Sequence, residues 1–406
     1  MKIYLVGGAL RNKLLNLPVK DKDYVVVGST PEQMIQKGFK PIGKDFPVFI
    51  HPKTKDEYAL ARTEKKIGVG YHGFKFYASP EISLEEDLKR RDLTINAIAQ
   101  DEDGKIYDPY KGQIDIDKRI IRHVSSAFVE DPLRVLRAAR FATLDKKFVI
   151  HKDTLNLLKK MVLSGELKSL AVERVIEEIK KGLVGKYPSK MFYYLTECGA
   201  LNEIFSGINY DQKMNSNFVS LGLVIEKNIV VVSDEFKILL ILLVPFFSKN
   251  FLEGGGKYRK EDEGNVLSHL KLSNAQKKVY ENIKEEKDSL DNFLSLNPKE
   301  KLDCLYRLDF FRRPIITFEI LNILMVLNIA SNGSEKSDLL NYSDSKQQEN
   351  FIKIRSKLLK NITQLLNSIT DALSQTKKGY DSAMPGSEIK KLIYEERLQV
   401  LKKLAD

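Results

Sequence analysis

The stretch that decides the fold is Leu5-Val6-Gly7-Gly8, followed by Asp21-Lys22-Asp23-Tyr24-Val25-Val26-Val27. An apolar run ends in two glycines, and an Asp-x-Asp pair thirteen residues after Gly8 leads into a β-branched run. Side chains two apart on a strand point to one face, which sets Asp21 and Asp23 side by side. Adjacent carboxylates repel, and a divalent cation between them removes the repulsion; hard oxygen donors suit Mg²⁺. Glycines at a strand end let backbone N–H groups approach phosphate closely. Residues 10–17, between the two, read as a short basic helix. Taken singly, a Gly-Gly pair is a turn and an Asp-x-Asp pair is a solvated strand end. In this order they predict a strand–helix–strand unit built to hold a metal–triphosphate complex.

Outward from that unit the sequence divides in two. Up to about residue 110, short apolar runs at 3–6, 24–27, 47–50, 58–61 and 94–99 alternate with Gly, Pro, Asp and Lys clusters. That pattern predicts a strand-containing domain. Beyond residue 125 apolar positions recur at intervals of three and four, glycines thin out, and helices are expected to the end. Residues 253–265 read as an exposed loop and 331–350 as a long loop or linker. The longest apolar run, 236–247, is interrupted by Lys237 and Pro245 and reads as a buried helix, too short for a bilayer. No internal repeat is visible.

Composition narrows the function. The chain has 406 residues, 43% of them hydrophobic, enough for two to four domains with cores. A formal net charge of +11 favours a polyanionic partner such as nucleic acid. Two cysteines, Cys198 and Cys304, are too few for a disulfide framework and fit a reducing cytoplasm. The sequence opens directly on a strand, so no signal peptide and a cytoplasmic location are expected.

Three further motifs carry charge in patterns that call for anions. In Arg90-Arg91-Asp92-Leu93-Thr94-Ile95-Asn96-Ala97, polar and apolar residues alternate, which predicts a strand with a polar face for a ribose and arginines for phosphate. In Glu130-Asp131-Pro132-Leu133-Arg134, Asp131 reads as a helix N-cap with proline in the first turn. Arg134, Arg137 and Arg140 then share one drifting helical face. Three guanidinium groups on one stripe need counter-anions, supplied by a polyphosphate, the Watson–Crick edge of a base, or acidic residues elsewhere in the chain. Glu57, ahead of Tyr58-Ala59-Leu60-Ala61, is a candidate third metal carboxylate, and Asp108-Pro109-Tyr110 to Gly112 reads as a turn.

The order Gly7-Gly8, Asp21-x-Asp23, Arg90-Arg91-Asp92, Glu130-Asp131-x-x-Arg134 resembles the class II tRNA nucleotidyltransferases, bacterial CCA-adding enzymes of the polymerase-β-like superfamily. The resemblance runs nearly continuously over residues 1–200 and takes in Glu173-Arg174-Val175 and Glu177-Glu178, a helical motif that supports the nucleotide pocket. It implies an α+β fold: a polymerase-β-like mixed α/β head at 1–125, a helical neck with the base template at 126–205, a helical body at 206–300, and a helical tRNA-binding tail at 301–406. It implies that Asp21 and Asp23 bind Mg²⁺ and activate a tRNA 3′-hydroxyl for attack on the α-phosphate of CTP or ATP. Gly8 and Arg11 would contact the nucleotide phosphates, Arg91 and Asp92 the phosphate and ribose, Asp131 and Arg134 the base, and Arg137 and Arg140 would complete the site. The implied partners are tRNA, CTP and ATP, with no membrane and no obligate protein partner.

Some relatives carry a metal-dependent HD phosphohydrolase domain after the neck. No histidine lies between residues 152 and 268 here, and Leu243-Val244-Pro245-Phe246 stands where a His-Asp pair is expected. The resemblance weakens beyond residue 210, though Gly386-Ser387-Glu388-Ile389 with Arg397 is faintly tail-like. The sequence therefore predicts CCA addition without phosphohydrolase activity. A bacterial poly(A) polymerase shares every head motif, a partial CC- or A-adding enzyme is a narrower variant, and an idle RNA-binding protein on this scaffold is the reading from a different class.

Overall fold

The computed structural model describes residues 1–19, 21–42, 48–66, 74–204, 212–228, 230–247, 272–331, 346–375 and 384–404. They form two compact units, residues 1–204 and 212–404.

In the first unit, β1 (Lys2–Val6) ends at Gly7, whose φ of 67° is the left-handed backbone that glycine adopts without steric cost. A Cβ at Gly7 would also sit 3.2 Å from the Arg91 guanidinium. The turn launches α1 (Gly8–Leu14), and the chain returns as β2 (Asp23–Val27), antiparallel to β1 with Val6 opposite Asp23. Helix α2 (Pro31–Gln36) opens with a Thr30–Gln33 capping box. Strands β3 (Lys40–Ile42), β4 (Val48–Ile50) and β5 (Glu57–Leu60) follow, then β6 (Arg62–Lys66) paired with β7 (Phe74–Ala78), α3 (Leu84–Lys89), β8 (Ala99–Gln100) and β9 (Ile106–Tyr107). The main sheet runs β3-β4-β5-β2-β1-β8-β9; its β2–β5 pair is parallel and the other pairs are antiparallel.

The run Val25-Val26-Val27 is continuous rather than alternating because both faces of this strand are covered. Val25 packs with Tyr4, Val6 and Leu88 on one face, and Val26 with Met34, Phe49 and Leu60 on the other. Asp23 and Glu57, at the start of their strands, therefore share the face of Val25 and stand beside each other in the β2–β5 register.

The polar–apolar alternation of residues 93–97 does not make a strand. Thr94–Asn96 is a 3₁₀ turn, and Leu93 through Ala99 are all buried. The polar residues face protein partners instead of solvent: Thr94 Oγ1 donates to Asp115 at 2.7 Å and Asn96 Nδ2 to Asp92 at 3.0 Å. Asp108 caps α4 (Gly112–Asp117), accepting the Gly112 and Gln113 N–H groups at 2.6 and 2.9 Å.

Beyond residue 125 the first unit is helical: α5 (Arg134–Phe141), α6 (Lys152–Leu163), α7 (Val172–Leu183), α8 (Pro188–Glu197) and α9 (Ala200–Ile204). One departure is a two-stranded parallel pair, β10 (Ile120–Ile121) with β11 (Val149–Ile150), whose second strand falls inside the stretch read as helical. Helix α5 begins at Arg134, so Asp131 is not its N-cap residue; Asp131 closes the preceding turn by accepting Leu133 N–H at 3.1 Å. This mixed-sheet head followed by helices is the α+β layout that the sequence predicts.

The second unit consists of helices Gln212–Glu226, Lys237–Phe247, Asn274–Asp291, Pro298–Arg307, Pro314–Ser331, Lys346–Gln375 and Gly386–Lys403. The run at 236–247 is largely a buried helix, as expected, with Ile238 through Val244 in the core. The longer apolar element is Pro314–Ser331, long and apolar enough to cross a membrane, with 61% of its residues buried within the structure. It packs against Gln212–Glu226, Lys237–Phe247 and Lys346–Gln375, which accounts for its composition. The loop expected at 331–350 is shorter at both ends, because Ser331 and residues 346–350 are helical. The rest of it, and the loop expected at 253–265, lie outside the described residues. Cys198 and Cys304 are buried free thiols.

Candidate active site

A cleft of about 760 Å³ opens in the first unit, and the candidate metal- and nucleotide-binding residues all line it: Gly8, Arg11, Asp21, Asp23, Glu57, Arg91, Asp92, Asp131, Arg134, Arg137 and Arg140. One edge is acidic. Asp23 opens β2 and Asp21 lies just before it rather than on the strand. Glu57 neighbours Asp23 across the parallel pair. All three carboxylates are solvent-exposed, yet the cleft displaces enough water to raise the Asp23 pKa. Burial is the main cause; Asp21 adds to it and Arg91 opposes it. Among the described residues no three His, Cys, Asp or Glu side chains gather closely enough to hold a metal by themselves. Asp21 and Asp23 nevertheless fit Mg²⁺, which is ordinarily held by one or two carboxylates together with substrate phosphate and water. Glu57 is not drawn into a ready-made three-carboxylate cluster.

Next to this edge, α1 sends Arg11 inward. Its guanidinium donates to Asn96 Oδ1 at 2.6 Å and Asn12 Oδ1 at 2.8 Å, and its carbon lies 4.8 Å from the Phe141 ring centre. Burial, aided by the nearby Arg140 charge, lowers its pKa to about 10.

The opposite wall is basic, and of the counter-anions left open for the arginine stripe, acidic residues elsewhere in the chain are the ones in contact with it. The counter-anions are already present in the protein. Asp92 Oδ2 accepts Arg137 Nε at 2.9 Å and Nη2 at 2.7 Å, two charge-assisted bonds to one oxygen. Its Oδ1 accepts Leu93 N–H at 2.8 Å and Asn96 Nδ2 at 3.0 Å. Burial alone would push Asp92 up; Arg137, the Asn96 hydrogen bond and Arg134 outweigh it and hold the carboxyl well below the usual carboxylate range. Buried Glu178 on α7 takes Arg140 Nε and stands 3.6 Å from Arg137. Arg134 donates to the carbonyls of Ala127 and Arg90, both at 2.8 Å. Asp131 pairs with Arg174 of α7 at 3.0 Å. The Phe141 ring holds Arg11, Arg137 and Arg140 within 4.1–5.5 Å of its centre, favourable for cations over an aromatic face.

The sequence reading missed Asp87, Arg62 and Lys181. Arg62 and Lys181 line the cleft. Asp87 sits behind it, fully buried, and bonds both Arg90 and Arg91. A signal for it is present, since Asp87, Arg90 and Arg91 stand at i, i+3 and i+4, the spacing of side chains that meet on a helix.

Residues 3–122 match the poly A polymerase head domain and residues 147–211 the probable RNA and SrmB-binding site of polymerase A. A CCA-adding enzyme of Coxiella burnetii is 58% identical over 213 residues, 52% of this chain and 57% of that protein. A multifunctional CCA protein of Chromobacterium violaceum is 57% identical over 209 residues, 52% of this chain and 51% of its own length. The chain thus spans about half the length of the relatives it matches. A CCA-adding enzyme solved with CTP superposes with a TM-score of 0.62 at 22% identity, covering 98% of this chain and 86% of that one; this likeness is one of fold. A tRNA nucleotidyltransferase solved with a primer tRNA and an incoming ATP analog gives 0.56 at 25% identity, covering 89% and 96%. Residues 3–122 thus carry a poly A polymerase head domain, and the first half of the chain is similar to CCA-adding enzymes and multifunctional CCA proteins.

Proposed function

We propose that this protein is a tRNA CCA-adding nucleotidyltransferase, which adds C, C and A to a tRNA 3′ end from CTP and ATP without a nucleic-acid template and releases diphosphate. The observation that carries the reading is one cleft that joins the Asp21–Asp23 edge to the wall bearing Asp131 and Arg134. Asp21 and Asp23 would hold Mg²⁺. When bound, the metal supplies charge neutralisation at the α-phosphate and lowers the pKa of the attacking 3′-hydroxyl. Gly8 leaves room for the triphosphate, while Arg11 and Arg91 place positive charge beside it in positions set by their partners. Asp92 shapes the ribose side through Arg137 and Asn96, which it holds. Asp131 accepts from the exocyclic amino group that cytosine and adenine share; uracil and guanine present a carbonyl there, which a carboxylate repels. Arg134 donates to the neighbouring ring acceptor. Phosphoryl transfer needs mainly positioning and charge, and these residues supply both.

The helices from residue 206 on would carry tRNA, with 301–406 as the tRNA-binding tail, and would lack phosphohydrolase activity. The absence of histidine between residues 152 and 268 supports this. Metal-dependent hydrolysis of 2′,3′-cyclic nucleotides by the purified protein would overturn that part. The main test is incorporation of labelled nucleotides into tRNA transcripts lacking CCA, lacking CA and lacking only A, with Mg²⁺. Ordered addition that stops after A is expected. Continued A addition to generic RNA would assign a poly(A) polymerase, a narrower product a partial enzyme, and no addition an idle RNA-binding protein.

A further inference from the structure

Asp87 is 0% exposed and does not line the cleft, so it touches no substrate. Its Oδ1 accepts Arg90 Nη2 at 2.6 Å and the Arg62 backbone N–H at 3.3 Å. Its Oδ2 accepts Arg91 Nη2 at 3.2 Å and Nε at 3.4 Å. Arg91 reaches from there to the Gly7 turn, where its Nη1 lies 3.2 Å from the position a Cβ would take. A buried carboxylate is costly unless paired, and one carboxylate facing two guanidinium groups leaves net positive charge directed into the cleft. A guanidinium on a free stem samples many rotamers; one forked onto a buried acid is held for an incoming anion before it arrives.

We propose that Asp87 is a positioning residue for the nucleotide triphosphate: it fixes Arg91 against the Gly7 turn as a preorganised phosphate-binding cation. This rests on the nucleotidyltransferase reading given above. The same carboxylate clamps the start of β6 through Arg62, so one buried group ties the β6–β7 pair to the phosphate side of the cleft.

The test compares wild type, Asp87→Asn, Arg91→Ala, Arg91→Lys and the Asp87→Asn/Arg91→Ala double variant. The readouts are KM for ATP and for tRNA, and equilibrium binding of ATP with Ca²⁺, which needs no turnover. Asp87→Asn is expected to raise KM and Kd for ATP about tenfold while KM for tRNA stays within about twofold. The double variant is expected to bind ATP no worse than Arg91→Ala alone. Arg91→Lys, which keeps the charge but cannot fork onto Asp87, should lose nearly as much as Arg91→Ala; it serves even if Asp87→Asn does not fold. Additive losses in the double variant, equal changes in both KM values, or wild-type ATP binding by Arg91→Lys would each overturn the assignment. A wild type that binds ATP but adds nothing to tRNA would refute the functional reading alone.

Discussion

The two walls of the cleft carry opposite charge and are held in opposite ways. On the basic wall the ion pairs come from within: Arg137 has Asp92, Arg140 has Glu178, Arg174 has Asp131, and Arg90 and Arg91 have Asp87. On the acidic edge Asp21 and Asp23 stand together, exposed, with the charge of Arg91 too weak to offset the enclosure. Two aspartates show the contrast. Asp92 sits far below its ordinary pKa because Arg137, the Asn96 hydrogen bond and Arg134 outweigh its burial, and Asp23 sits above its own because burial, with Asp21 beside it, outweighs Arg91. A charge satisfied internally serves as architecture, while one left unsatisfied serves a ligand. The basic wall is held by its own ion pairs; the acidic edge is the part that the proposed function assigns to a cation.

This contrast can be broken by substitution. The largest effect is expected from Asp23→Ala, which should lower nucleotide addition by about 10³-fold or more while leaving tRNA affinity within a few fold, because Lys and Arg contacts to phosphate dominate that affinity. Single-turnover addition and a filter-binding titration measure the two, and retained activity would remove Asp23 from the mechanism. Metal-free stability should not fall with activity. A carboxyl whose pKa is raised by folding contributes stability at low pH that is lost as pH rises through the folded value, so removing it relieves a cost at neutral pH.

Asp92→Ala should do the reverse and cost about 3 kcal/mol of stability by stranding Arg137 and Asn96 in a partly buried site. Asp92 and Asp87 both have depressed pKa values, so their contribution is present above the ordinary carboxylate range and disappears as pH falls below it. Thermal melts from pH 7 down to pH 3 should therefore keep a gap between wild type and Asp92→Ala that begins to narrow only at the acid end, as pH drops below the ordinary carboxylate value toward the depressed one; a gap that stays constant throughout would show that Asp92 does not anchor the wall. The smallest effect is on selectivity. Arg134→Ala should reduce the preference for CTP and ATP over UTP and GTP by about tenfold. It should also cost about 1 kcal/mol, since two part-buried carbonyls lose their donor. Unchanged base selectivity in the folded variant would make Arg134 a purely structural residue.

Much of the site was readable from residue order. Gly7-Gly8, Asp21-x-Asp23 and the arginine stripe are local patterns, and local patterns survive translation into structure because the strand and helix periods are fixed. The errors fell where partners come from far away. Residues 93–97 alternate like an edge strand, but Arg11, 85 residues upstream of Asn96, and Asp115 supply buried partners that make a 3₁₀ turn the better solution. The apolar helix Pro314–Ser331 makes the same point, since only its neighbours show why it needs no polar face.

By itself, the sequence determined the α+β layout, a pair of carboxylates at the start of a strand, and most of the charged residues that meet in the cleft, because each depends on chain periodicity and on which side chains carry charge. Only the tertiary structure decided which of those charges are satisfied. Whether Asp92 or Asp23 is left for a ligand depends on the placement of Arg137 on α5, Glu178 on α7 and Asp87 on α3. A charge's role follows from the distance to its counter-charge, and between residues far apart in the chain only folding sets that distance.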